Sequence, residues 1–140
     1  KLVSNVAGAV APNSLHVVSL RAGAGLTADA LAATWLTSLT RLSAEVEGHA
    51  LGGGMLKLEP KEARNVLVIQ PGNRDLSRLA PELDAVWRER GLEEACRLAD
   101  GEVLQKGMGL TEKECRLLRS GAQRLHDRRH HNGRGGEDGH

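Results

Sequence analysis

The three consecutive glycines Gly52, Gly53 and Gly54 constrain this chain more than any other feature. Glycine loses the most backbone freedom on folding, and in return allows φ > 0 and close approach of another group to the main chain. Ordering three in a row is costly, so a tight turn, or a group that must come near that backbone, is expected. The flanks narrow the choice. An apolar-patterned stretch runs up to Glu47, and Gly48 stands where a helix usually stops. After the triplet, Met55-Leu56-Lys57-Leu58 reads as a short extended segment. Glu59-Pro60-Lys61-Glu62-Ala63 then reads as a helical turn opened by proline.

Upstream, Thr27 suits an N-cap and Asp29 suits the positive end of a helix. Leu31, Trp35, Leu39, Leu42 and Val46 recur at spacings of four, four, three and four. That is one stripe of an amphipathic helix, and it predicts a single long helix up to Glu47 with Trp35 in the core. Residues 1–21 read as strands around a turn at Ala11-Pro12-Asn13-Ser14, with Leu15–Leu20 as a β-favouring run. Val66-Leu67-Val68-Ile69 reads as a buried strand, stopped by Gln70-Pro71-Gly72.

Beyond Gly72 the pattern is helical. Pro81 opens a helix with Leu83, Val86 and Trp87 inward, closed by Gly91. A second runs from Leu92 to Lys106 with Gly101 as its weak point. Thr111-Glu112-Lys113-Glu114 is a capping box. The helix it starts puts Cys115, Leu118, Ala122 and Leu125 on one face, and Arg116, Arg119, Arg124 and Arg128 on the others. The predicted class is α+β: a small mixed α/β segment with a long helix over residues 1–71, a C-terminal helical extension over 72–131, and a disordered tail over 132–140.

Composition sharpens this. The chain has two tryptophans and no phenylalanine or tyrosine, so its core must rest on Leu, Val and Ala. The same shortage disfavours stacking of single-stranded bases. Net charge is +1, but residues 116–134 hold six arginines against one acid, Asp127, a local basic segment. Cys96 and Cys115 form no CxxC pairing and fit a reduced, cytoplasmic protein. No apolar run has membrane-spanning length. The chain starts at Lys1 without an initiator methionine, as expected of a C-terminal fragment of a longer polypeptide or of a trimmed chain.

Two places can meet an anion. Lys57, flanked by Leu56 and Leu58 on an extended segment, points away from them. The N–H groups of Gly52, Gly53 and Gly54 can approach a phosphate with no side chain in the way, and His49 beside them can donate to a phosphate or a base edge. An exposed lysine on a plain glycine hairpin fits the same residues. Arg116, Arg119, Arg124 and Arg128 can contact phosphates or form a solvated helix face. Gly23-Ala24-Gly25-Leu26-Thr27-Ala28 has the outline of a dinucleotide or methyl-donor loop, but the acids at the required distance, Glu45 and Glu47, lie on the helix itself. His126 and His130 have metal-chelating spacing, but arginines flank them and no cysteine or carboxylate completes a ligand set.

Leu36–Glu47, Gly52–Leu58, Pro60 and Val66–Pro71, with Gly109-Leu110-Thr111-Glu112-Lys113-Glu114 and Arg128-Arg129, together resemble the target-recognition region of restriction–modification adenine-N6 DNA methyltransferases. The resemblance covers most of the chain up to about residue 130. It implies a part that follows a catalytic domain and holds double-stranded DNA while that domain binds S-adenosylmethionine, flips the adenine and methylates it. It implies DNA contact by Gly52, Gly53, Gly54, Lys57, His49 and the four arginines. The Asn/Asp-Pro-Pro-Tyr/Phe loop of such enzymes is missing, since no two prolines are adjacent. No cofactor is therefore expected on this chain alone. A different class also fits, a non-enzymatic helical adaptor whose apolar stripes dock a protein.

Overall fold

The computed structural model describes residues 2–134. Helix α1, Ala28–Trp35, starts where Thr27 Oγ1 accepts a hydrogen bond from Ala30 N at 3.1 Å. The expected long helix then breaks. Leu36 closes α1, Thr37 turns extended with φ −63° and ψ 148°, and α2, Ser38–Glu47, begins anew. The cause is hydroxyl competition for the backbone. Thr34 Oγ1 donates to Leu31 O at 3.1 Å, and Thr37 Oγ1 donates to Thr34 O at 2.8 Å. Thr37 Oγ1 also accepts from Thr40 N, which makes it the N-cap of α2. The break rotates the apolar stripe out of register. Leu31 is buried, Trp35 is only half-buried, and Val46 is 64% exposed.

Strand β1, His49–Leu51, pairs antiparallel with β2, Met55–Lys57, across a three-residue turn at Gly52–Gly54. Gly48 is the C-cap of α2, as expected, but its φ of −77° is not left-handed. Close approach requires the glycine there: a Cβ would fall 2.8 Å from Leu56 Cδ1 and 2.9 Å from Lys57 O. Helix α3, Pro60–Ala63, carries a capping box between Glu59 and Glu62.

These are the strands among the described residues. The runs at 2–21 and 66–69 form none. The turn at Pro12 does form, with Leu15 N donating to Pro12 O at 3.0 Å. The flanking valines meet no ladder partner, and Val6 and Val10 are 94% and 95% exposed. In the second run Val66 and Ile69 are buried while Leu67 and Val68 are exposed. Leu67 N is satisfied by Ser43 Oγ at 2.9 Å instead of by a neighbouring strand.

The rest is helical: α4 Leu79–Arg90, α5 Leu92–Ala99, a π-helical stretch Asp100–Gln105, α6 Lys106–Met108 and α7 Glu112–Arg134. Gly91 takes φ +91° between α4 and α5. The anticipated weak point at Gly101 lies inside the π stretch, a known form of helix irregularity. At the start of α7, Thr111 N donates to Glu114 Oε2 at 2.7 Å and Glu114 N donates to Thr111 Oγ1 at 3.2 Å, the reciprocal cap read from sequence. Of the segment read as a disordered tail, residues 135–140 lie outside the described residues.

The core joins Ala30, Ala33, Ile69, Leu76, Leu79, Leu83, Ala99, Val103, Leu104 and Cys115, so it draws on both sides of position 71. Leu83 and Leu104 are fully buried, each contributing about 2 kcal/mol by removal from water. Helix α7 lies along α2, α4 along α5, and α1 against α4. Asp100, itself buried, ties three of these elements. Its Oδ1 accepts from Ser38 N at 2.7 Å and its Oδ2 from Arg119 Nη1 at 2.6 Å. No helix among the described residues is long and apolar enough to cross a membrane.

Candidate nucleic-acid interface

The β1–β2 hairpin rises from the end of α2 and rests on the C-terminal part of α7. Its three glycines differ. Gly52 is exposed, and a Cβ there would meet nothing. Gly53 is exposed too, but takes φ +74°. Gly54 is buried, takes φ +75°, and a Cβ on it would overlap the His130 ring of α7. The group that must come near this backbone is thus, at Gly54, part of the chain itself. Gly52 and Gly53 leave the tip open.

His49 and Lys57 are cross-strand partners, so both side chains share one face of the hairpin. Neither stands free there. Lys57 Nζ lies 2.5 Å from Glu59 Oε1, and His49 Nδ1 lies 2.9 Å from Glu62 Oε1. The hydrogen bond to Glu59, with its charge, raises the Lys57 pKa and correspondingly lowers that of Glu59. The Glu62 carboxyl is lowered first by the hydrogen bond from Glu59 N, at 2.7 Å, and then by His49. The Lys57–Glu59 pair was legible, since residues two apart on an extended segment face the same way. An anion reaching Lys57 must share the ammonium with Glu59 or displace it. Both side chains are 46% exposed, so the pair is weakly held against such exchange.

The four arginines divide. Arg116, Arg124 and Arg128 are exposed and make no side-chain hydrogen bond or ion pair with other described residues. Arg119 is committed to the fold. It spans buried Asp100 at 2.6 Å and Glu112 at 2.5 Å. The next arginine, Arg129, is committed in the same way to Glu45 of α2 at 2.8 Å. Arg128 precedes His130 by two residues, about 200° around the helix, so its exposed side chain leaves α7 on a different face from the ring that packs against Gly54. Arg116 stands about 21 Å away along the helix axis. The structure therefore brings His49, Lys57 and the glycine tip together on the hairpin, seated on α7 through His130, and does not gather the candidate arginines around them.

The remaining candidates carry less. Gly23 and Gly25 take φ +78° and +66° before α1, but no strand precedes them among the described residues, so the methyl-donor loop outline lacks its context. The His126 and His130 rings lie with centroids 4.3 Å apart and are tilted by 46° to one another. Among the described residues no three His, Cys, Asp or Glu side chains are placed to hold a metal ion.

The family model described as type II methyltransferase M.Eco57I, C-terminal domain, matches residues 1–104. No curated protein and no solved structure gives a match. The matched span holds α1 to α5, the hairpin and most of the π stretch, while α7 lies beyond it. The chain belongs to the family of type II methyltransferase C-terminal domains.

Proposed function

We propose that this chain is the DNA-holding, target-recognition part of a site-specific adenine-N6 methyltransferase of a restriction–modification or phage-defence system. S-adenosylmethionine and the methyl transfer belong, in this reading, to a companion catalytic domain. Residues 1–71 present the DNA-contacting hairpin, and residues 72–131 stiffen it from behind. The observation that carries the reading is the open Gly52–Gly53 tip with Lys57 and His49 on one face of the hairpin, above a helix that also exposes Arg128. Backbone N–H groups and one ammonium make a surface that grips phosphates without reading bases, and the exposed Arg128 guanidinium adds a further phosphate contact on α7. Methylation of an adenine requires the duplex to be held while the base is turned out, because unstacking costs a few kcal/mol.

The adaptor reading draws on a different observation, the exposed valines Val3, Val6, Val10 and Val17 of the N-terminal segment. An apolar surface of that kind suits a protein contact, and within the DNA reading its partner is the catalytic domain.

The test is duplex affinity across a salt series for the chain and for Lys57→Ala and Arg128→Ala. Each variant is expected to bind specific and non-specific duplexes more weakly by a similar factor. Each is also expected to flatten the slope of log affinity against log salt by about 0.9. Slopes that do not move would return Lys57 and Arg128 to the ordinary surface.

A further inference from the structure

Away from the hairpin, a cavity of about 210 Å³ opens between α2, α5 and α7. Four guanidiniums line it, Arg41 from α2, Arg97 from α5, and Arg116 and Arg119 from α7, together with one carboxylate, Glu93. Arg41 and Arg97 lie inside the family-matched residues, and Arg116 and Arg119 lie beyond them. The cavity is complete only where the two parts of the chain meet.

The arginines differ in how they are held. Arg119 is fixed by Asp100 and Glu112, and Arg97 by Glu94 at 2.8 Å, all carboxylates outside the cavity lining. Arg41 is half-buried, and its one side-chain hydrogen bond with a described residue runs to Cys96 Sγ at 3.1 Å. A thiol sulfur is a weak acceptor. Burial pushes the Cys96 thiol pKa up, so it stays neutral and does not balance the Arg41 charge. Arg116 makes no side-chain hydrogen bond with a described residue. Two guanidiniums hydrogen-bonded to carboxylates behind them and two that make no hydrogen bond to a described carboxylate thus converge on one concave space.

We infer that this cavity is a phosphate-binding site. Guanidiniums offer forked N–H pairs that match the oxygens of a phosphate, and the lining holds four of them against one carboxylate. The phosphate can belong to a nucleic-acid backbone or to a free phosphate-bearing molecule. Only the first source rests on the function proposed above.

The test begins with inorganic phosphate titrated into the 140-residue chain at low salt, followed on the arginine Nε–Hε resonances. Saturable shifts are expected at Arg41 and Arg116. Arg116→Gln is expected to weaken phosphate binding about ten-fold, the loss of one charge-assisted contact. Because Arg116 is exposed and makes no side-chain hydrogen bond with a described residue, this variant keeps its fold even where Arg41→Gln does not. Arg88→Gln, on α4 and paired with Asp84 along its own helix, is expected to change nothing. A duplex that displaces the phosphate identifies the backbone as the source; phosphate that stays bound beside the duplex identifies a free one. Absence of a saturable shift, or a shift that Arg116→Gln leaves intact, overturns the inference. The two readings fail separately. Duplex binding without phosphate binding removes the cavity site and keeps the DNA-holding role, and phosphate binding without duplex binding does the reverse.

Discussion

Arg129 clasps Glu45 with two parallel hydrogen bonds, Nε to Oε2 at 3.1 Å and Nη2 to Oε1 at 2.8 Å. The side chains are only 11% and 12% exposed. Removing one partner of a pair this sheltered leaves a charge without compensation. Arg129→Ala is expected to cost about 3 kcal/mol and to lower the melting temperature by roughly 10 °C. Arg128→Ala, one residue earlier and exposed, should stay within about 0.5 kcal/mol of the parent. Thermal unfolding of the two variants checks the contrast, and equal losses would contradict it.

The glycine triplet yields a graded series. Gly52→Ala is expected to be neutral within about 0.5 kcal/mol. Gly53→Ala should cost about 1 kcal/mol for its positive φ alone, since a Cβ there meets open space. Gly54→Ala adds overlap with His130 and should cost more. His130→Ala in the same chain should restore part of that extra loss, a coupling of at least about 0.5 kcal/mol. Urea unfolding of the parent, Gly54→Ala, His130→Ala and the double variant measures it, and strict additivity would remove His130 from the account.

Acid should loosen the hairpin from α3. Glu59 and Glu62 are held below their ordinary value of 4.5 by Lys57 and by the Glu59 amide respectively. A carboxyl lowered on folding contributes stability above its unfolded pKa and loses that contribution as pH falls through the folded one. The contact is therefore intact at neutral pH and weakens below about pH 4.5. The Glu59 amide proton, bonded to Glu62, should report this in its chemical shift. Glu62→Gln should abolish that titration.

Both thiols should be silent in the native protein. Cys96 and Cys115 are fully buried, and burial raises the pKa of each. The thiolate is the reactive form, so modification at neutral pH should be slow until denaturant unfolds the chain, when both react. Rapid labelling of the folded protein would contradict this burial.

Local signals were read correctly from the sequence. The Thr111–Glu114 cap, Gly91 between α4 and α5, and an aliphatic core without phenylalanine or tyrosine all depend on residues close in the chain or on composition. The break after Trp35 leaves no mark on the apolar periodicity, which Leu39 and Leu42 prolong while the Thr34 and Thr37 hydroxyls divert the backbone beneath it. The strands expected near Val17 and Val68 failed for another reason: a strand needs a partner, and valine-rich sequence does not supply one. Arg119 could not be told from Arg116, because its acid, Asp100, sits in a separate helical stretch. At the hairpin, alternation alone implies that Lys57 stands on an exposed strand face, and its ion pair with Glu59 follows from the two-residue spacing.

Arg119 and Arg129 fix α7 to Asp100 and Glu45 at points ten residues apart. A helix advances about 1.5 Å and turns about 100° with each residue, so both anchors fit for one phase of the helix. Deleting or adding a single residue between Ser120 and Arg128 would swing one guanidinium more than a quarter-turn from its carboxylate. A change of length in the loop at Gly109-Leu110 would leave that phase untouched. The interval acts as a ruler: along it the outward residues are free to drift, but their number is not.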